Sequence, residues 1–184
     1  MSVLFYGLAA AILVILNAAG AIIGRIIYVV KKQNKMYANI TELLEKLKSE
    51  SEDNSYERIL KQKGLQRPLY DYILKTKNYA YYIKLIQNNN LNEITVQSSV
   101  KWKMRRGTKS TIYISDIEEF MRLRIPDENN VISKKIVLVY PDSKSLLRYI
   151  NECELEFITP DTDVYGCNVV TYKQLNENLD IIKL

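Results

Sequence analysis

Histidine is absent from this chain, and cysteine occurs only at Cys153 and Cys167. The first absence removes the commonest general base and the commonest metal ligand. The two cysteines lack zinc-site spacing, and in a reducing cytoplasm they are expected as thiols. Cys153 lies among Ile150, Leu155 and Phe157, which predicts a small buried hydrophobe. Glycine is scarce as well. There are six in 184 residues, none in a GxGxxG or Walker arrangement, which argues against a nucleotide-binding fold. No cofactor and no metal site is expected. Three phenylalanines stand against fourteen tyrosines, so many core aromatics must be tyrosine bodies with hydroxyls at the rim.

The longest absence is of charge. No charged residue occurs from Met1 to Gly24, and the apolar run continues to Val30 with Arg25 as its one interruption. A helix rises about 1.5 Å per residue, so about 20 apolar residues cross a bilayer core. Residues 1–30 are therefore expected to form one transmembrane helix. A cleaved signal peptide would need positive charge ahead of the apolar stretch, and none is there. Arg25, Lys31, Lys32 and Lys35 follow the stretch or lie near its end, with no acid before Glu42. That asymmetry predicts an outside N-terminus and a cytoplasmic C-terminal domain. Arg25 and Tyr28 suit the headgroup region. Gly20 and Gly24 form a small-xxx-small pair with Asn17 one turn earlier, a candidate face for self-association in lipid.

Residues 31–55 read as a juxtamembrane helix and linker. Met36, Ile40, Leu43 and Leu47 make a short coiled-coil seam, Glu42 and Lys46 an i,i+4 pair, and Ser49–Ser55 a polar break. Residues 56–184 read as one mixed α/β domain. Helices are expected at Tyr56–Lys63, Leu69–Gln87, Ser115–Arg124, Ser143–Glu152 and Tyr172–Ile182. Ser115 and Glu118 have capping-box spacing. Strands are expected at Glu93–Gln97, Val100–Met104, Thr111–Ile114, Leu155–Thr159 and Asn168–Thr171. Lys135–Tyr140 is an unbroken apolar strand of the kind buried on both faces of a parallel sheet.

The net charge of +5 is unevenly spread. Residues 1–35 carry four basic and no acidic side chains, and residues 100–114 carry five and none. The second cluster is Lys101, Lys103, Arg105, Arg106 and Lys109, with Trp102 between the first two. Alternation puts Lys101, Lys103 and Arg105 on one face and Trp102 and Met104 on the other. A solvated hairpin accounts for the pattern. An anion-binding strand does too, and a membrane tether favours anionic lipid over a nucleic-acid backbone as the anion.

The stretch SSVKWKMRRGTKSTIYISDIEEFMRL, with the later KIVLVY, LEFIT and NVVTYKQL, resembles the core of archaeal Holliday-junction resolvases and related restriction-endonuclease-like nucleases. The resemblance implies a catalytic-lysine position at Lys101, a first-helix acid at Glu57, and Asp71 or Glu93 as a remaining metal ligand. Ser99 stands where that family's metal-binding Glu belongs, so the resemblance implies a degenerate site. Two function classes follow. One is a single-pass membrane protein presenting a cytoplasmic interaction or scaffold domain, with membrane lipid, a protein partner or a second copy as its contacts. The other is a membrane-tethered, degenerate nuclease-like domain that contacts nucleic acid.

Overall fold

The computed structural model describes residues 2–60, 68–107, 110–126 and 131–182, with side chains from residue 17 onward. The chain divides into two compact units, Met1–Thr41 and Glu42–Leu184. Helix α1 (Ser2–Ser49) runs through the first and contributes its last turns to the second. Its interior holds no proline, and Lys46 and Lys48 in its final turn complement the helix dipole. The Asn54 side chain donates to the Leu47 carbonyl at 2.8 Å, meeting one of the acceptors that every helix end leaves open. Glu42 and Lys46 do pair, at 3.4 Å, on an exposed face where such a bridge adds little. Among the described residues no helix is long and apolar enough to cross a membrane. The side chains of residues 1–16, the first half of the expected span, lie outside the described residues.

The second unit is an α/β fold built on two mixed five-stranded sheets. The first contains β1 (Ser55–Arg58), β2 (Tyr72–Lys75), β3 (Tyr79–Gln87), β7 (Ile132–Tyr140) and β10 (Cys167–Thr171), in that order. β1, β2 and β3 pair antiparallel, while β7 lies parallel to both β3 and β10. The second contains β4 (Asn92–Val96), β5 (Trp102–Arg106), β6 (Ser110–Tyr113), β8 (Ser145–Tyr149) and β9 (Leu155–Phe157) in the order β6-β5-β4-β8-β9. Only β4 and β8 are parallel in it. Helices α2 (Asp116–Arg122) and α3 (Tyr172–Glu177) and a 3-10 turn at Leu179–Ile181 complete the unit.

β3 runs on into β4 and β7 into β8, so two neighbouring parallel strands pass together from one sheet to the other. Their shared corner is held by side-chain amides and a hydroxyl. Asn88 donates its backbone N–H to the Tyr140 carbonyl (2.7 Å) and its amide to the Asp142 carbonyl (3.0 Å). Asn92 donates to Asn88 Oδ1 (3.1 Å), and Ser143 Oγ donates to the Asn92 carbonyl (2.9 Å).

One core cluster joins the sheets. Ile86, Val137, Val139 and Val169 come from the first, Ile94, Val96, Trp102 and Leu146 from the second, and Ile117, Phe120 and Met121 from α2. Residues of opposite parity in the first sheet, among them Tyr72, Leu74, Ile83, Leu138 and Val170, are buried too. That sheet is thus covered on both faces, as its uninterrupted β7 run predicts.

Three expected helices are not helices. Tyr56–Lys63 holds β1, and residues 61–63 lie outside the described residues. Leu69–Gln87 is the β2–β3 hairpin: its tyrosines and isoleucines favour strands, and Thr76 Oγ1 accepts the Tyr79 N–H across the turn at 3.1 Å. Ser143–Glu152 is β8, whose Leu146 enters the core while Leu147 takes the other face. The capping box expected at Ser115 does not form, because its hydroxyl donates to Asp116 Oδ1 instead. α2 ends at Arg122, short of Arg124. The final helix is also shorter than expected, but it carries a capping box of its own between Thr171 and Gln174. Leu43 and Leu47 are fully buried within the chain itself, so their half of the expected seam is occupied without a second helix. Cys153 is exposed, contrary to expectation, on a turn where Asn151 Oδ1 accepts its N–H; Cys167 is the buried cysteine.

Candidate functional site

The basic segment sits on β5 and the hairpin that follows it. Trp102 is 1% exposed and anchors the strand in the core, and Met104 packs against the same cluster. With those two inward, alternation turns Lys103 and Arg105 outward. Lys101, Arg105 and Arg106 are exposed and Lys103 is half-buried, as the sequence pattern requires; Lys109 lies outside the described residues. Gly107, at φ +57°, makes the turn, and its carbonyl accepts from Arg105 Nε at 2.9 Å.

β6 pairs with β5 so that Tyr113 faces Lys103 across the ladder. The ammonium groups of Lys103 and Lys101 lie 5.6 and 5.8 Å from the Tyr113 ring centroid, within cation–π range. The registers extend this into one cross-strand row spanning the sheet: Tyr113, Lys103, Thr95, Leu147, Phe157. Tyr113 and Phe157, the two ends, are 56% and 73% exposed. A second row runs Thr111, Arg105, Glu93, Ser145. The outer face of the second sheet is therefore a surface exposed at its edges and half-buried at its centre, on which Lys103 and Arg105 stand among aromatic, aliphatic and hydroxyl groups and Glu93. No single sequence motif marks this row, because its members come from five separate strands.

The acids that a nuclease-like site would need do not gather at Lys101. Glu57 is exposed on β1 of the first sheet. Glu93 is on β4, where Ser145 Oγ donates to it at 2.9 Å. Asp71, also on the first sheet's side, accepts the Leu85 N–H at 2.8 Å and lies 3.8 Å from Lys84 Nζ. Burial pushes the Asp71 carboxyl above its ordinary range, and Lys84 and the Leu85 N–H pull it partly back. Lys84 also donates to the Pro68 carbonyl at 3.2 Å. A carboxylate already engaged by an ammonium and an amide is poorly disposed to bind a divalent cation. Among the described residues no group of three or more Cys, Asp or Glu side chains could hold a metal. A cleft of about 340 Å³ does open beside Lys84, lined by Gln87, Met104, Ile112, Tyr113 and Asp116.

The self-association residues expected on α1, Asn17, Gly20 and Gly24, are all exposed, and a Cβ built on either glycine would meet nothing within 4 Å. The described part of the chain therefore leaves that helix face open. Compared with known proteins the chain gives no match: no family model, no curated protein and no solved structure aligns with it.

Proposed function

We propose that this protein is a single-pass membrane protein, N-terminus outside, that presents a cytoplasmic α/β domain as a binding module. The observation that carries the reading is on α1. Ile22, Ile23, Ile26, Ile27, Tyr28, Val29 and Val30 are all 45–68% exposed on a helix whose sequence carries no charge before Arg25. Consecutive positions on a helix point in all directions, so this apolar surface surrounds the axis, which suits a bilayer better than water. Arg25, Lys31, Lys32 and Lys35 then give the helix its cytoplasmic end. On the domain, the basic and aromatic outer face of the second sheet supports binding: it offers cations, rings and the exposed Leu155, and among the described residues its one central acid, Glu93, stands opposite Arg105.

Membrane extraction and labelling test this together. The full chain should stay with membranes through alkaline carbonate. A cysteine inserted after Ser2, in a Cys153→Ser background, should react with an impermeant maleimide in intact cells, and one after Leu184 should not. Release by carbonate overturns the anchor, and the opposite labelling pattern overturns the cytoplasmic assignment.

A further inference from the structure

We infer that the two edges of the second sheet are complementary to one another, so that copies of the chain join edge to edge in an open row, β6 of one against β9 of the next. The inference deepens the binding reading above by naming the occupant of this sheet, a second copy.

Four observations converge on it. First, among the described residues both edges are bare. All four residues of β6 are exposed, and β9 shows Leu155 and Phe157 at 46% and 73% exposure.

Second, the free backbone groups match. Ile114 N–H donates to the Trp102 carbonyl at 3.0 Å, which fixes the phase of the β5–β6 ladder. Antiparallel alternation then turns the N–H and C=O of Thr111 and Tyr113 away from β5. Ile150 N–H to Glu154 (3.0 Å) and Ile158 N–H to Leu146 (2.9 Å) fix the phase at the other edge and turn Leu155 and Phe157 outward. Each edge thus offers two donor–acceptor residues two positions apart.

Third, the directions fit. β6 runs the same way as β4 and β8, and β9 runs opposite. A copy placed so that its sheet continues this one therefore sets its β9 antiparallel to β6, with Thr111 facing Phe157 and Tyr113 facing Leu155. All four of these side chains belong to the outer face, so the register keeps apolar and aromatic groups together.

Fourth, the charges differ in sign. Lys101, Lys103, Arg105 and Arg106 stand behind β6, while Glu152 and Glu154 lie just before β9; Glu156 on β9 is already paired with Arg148. Opposite edges attract and like edges repel. Pairing β6 with a second β6 would gather the cations, and pairing β9 with a second β9 would gather the acids.

A contact between two different edges is heterologous, so it propagates from copy to copy. The ladder is three residues long, far below the area of a stable interface, so it forms where confinement to a membrane raises the effective concentration.

Disulfide trapping of the full chain in phosphatidylcholine vesicles tests the contact, with Cys153 and Cys167 replaced by Ser. Paired antiparallel residues approach within disulfide reach. Under mild oxidation Thr111→Cys together with Phe157→Cys should yield a ladder of multimers. Each single variant should stay monomeric alone, and the two mixed should stop at dimers. Adding Lys103→Glu and Arg105→Glu to the Thr111→Cys partner should lower the mixed-dimer yield about fivefold. Either single variant dimerising by itself overturns the inference in favour of a same-edge contact. So does a doubly substituted chain that stays monomeric while floating with the vesicles and showing buried Trp102 emission. A chain that does not float with vesicles instead overturns the membrane reading, which keeps the two failures apart.

Discussion

Lys84→Met would expose how much of this fold depends on one buried ion pair. The Lys84 and Asp71 side chains are only 10% and 15% exposed. Methionine keeps most of the volume and removes the ammonium, leaving the Asp71 carboxylate with the Leu85 N–H and the weaker attraction of Arg58, and depriving the Pro68 carbonyl of its donor. Stranding one charge of a buried pair costs about 3–5 kcal/mol, against a total of about 5–15 for a domain. Trp102, the one tryptophan and 1% exposed, reports unfolding by its emission in urea, with the chain held in mild detergent. At a slope of about 2 kcal/mol per molar urea, the midpoint should fall by about 1.5–2.5 M. The pH dependence follows from the direction of the Asp71 shift. Its pKa in the fold is raised by burial, so the folded chain binds more protons than the unfolded one between the ordinary and the raised value. The contribution of this group to stability is therefore full below the ordinary carboxylate value and is lost as pH rises through the raised one. Without Lys84 the value rises further. The deficit of the variant should then be largest near neutrality and small by about pH 4, the ordinary carboxylate value, which lies below the raised one, so that Asp71 is already protonated in the fold. Replacing both residues, Asp71→Leu with Lys84→Met, should recover most of the loss. A loss under about 1 kcal/mol, or one equal at both pH values, would refute the buried-pair account.

Two further outcomes test the structure elsewhere. Cys153 should react with a maleimide in the folded chain while Cys167 stays protected, because Cys167 is 2% exposed and burial, with Asp163 nearby, pushes its thiol up to about 12; equal labelling rates in thiol mass spectrometry would overturn the placement of both. Asn54→Ala should destabilise the domain by about 0.5–1.5 kcal/mol in the same urea assay, since it removes the closer of the two donors to the Leu47 carbonyl at the end of α1 and leaves only the Glu50 N–H at 3.4 Å; Asn54→Gln, longer by a methylene, should not restore it.

The elements that were legible in the sequence are those whose environment imposes one pattern. KIVLVY is buried on both faces and reads as a strand directly, and the alternation of VKWKM survives as the inward Trp102 and outward Lys103. The misread segments carry patterns compatible with two periods. Leu146, Leu147 and Ile150 fit a helix face, yet β8 uses only the first as core. Leu69–Gln87 is as long as a helix, and the turn dividing it rests on Thr76 and Asn78, weak punctuation beside a glycine or proline. The basic segment was visible because its residues are neighbours in the chain. Phe157 and Leu147 join it only through strand registers set by pairings some fifty residues apart, such as Glu93 with Ser145, and local sequence does not encode those. The Asp71–Lys84 pair escaped for a related reason: the two side chains meet only once Leu69–Gln87 is folded as a hairpin.

The corner at Asn88, Asn92 and Ser143 bears on how the domain opens. Both sheets are threaded by the same two lengths of chain, and one cluster of side chains fills the angle between them. Among the described residues the second sheet buries only the face that packs on this shared cluster, so it has no core that would survive the departure of the first. Amide protons in β4 and β7, on opposite sides of the corner, should therefore exchange with solvent through a single shared opening, slowed alike and released alike by denaturant.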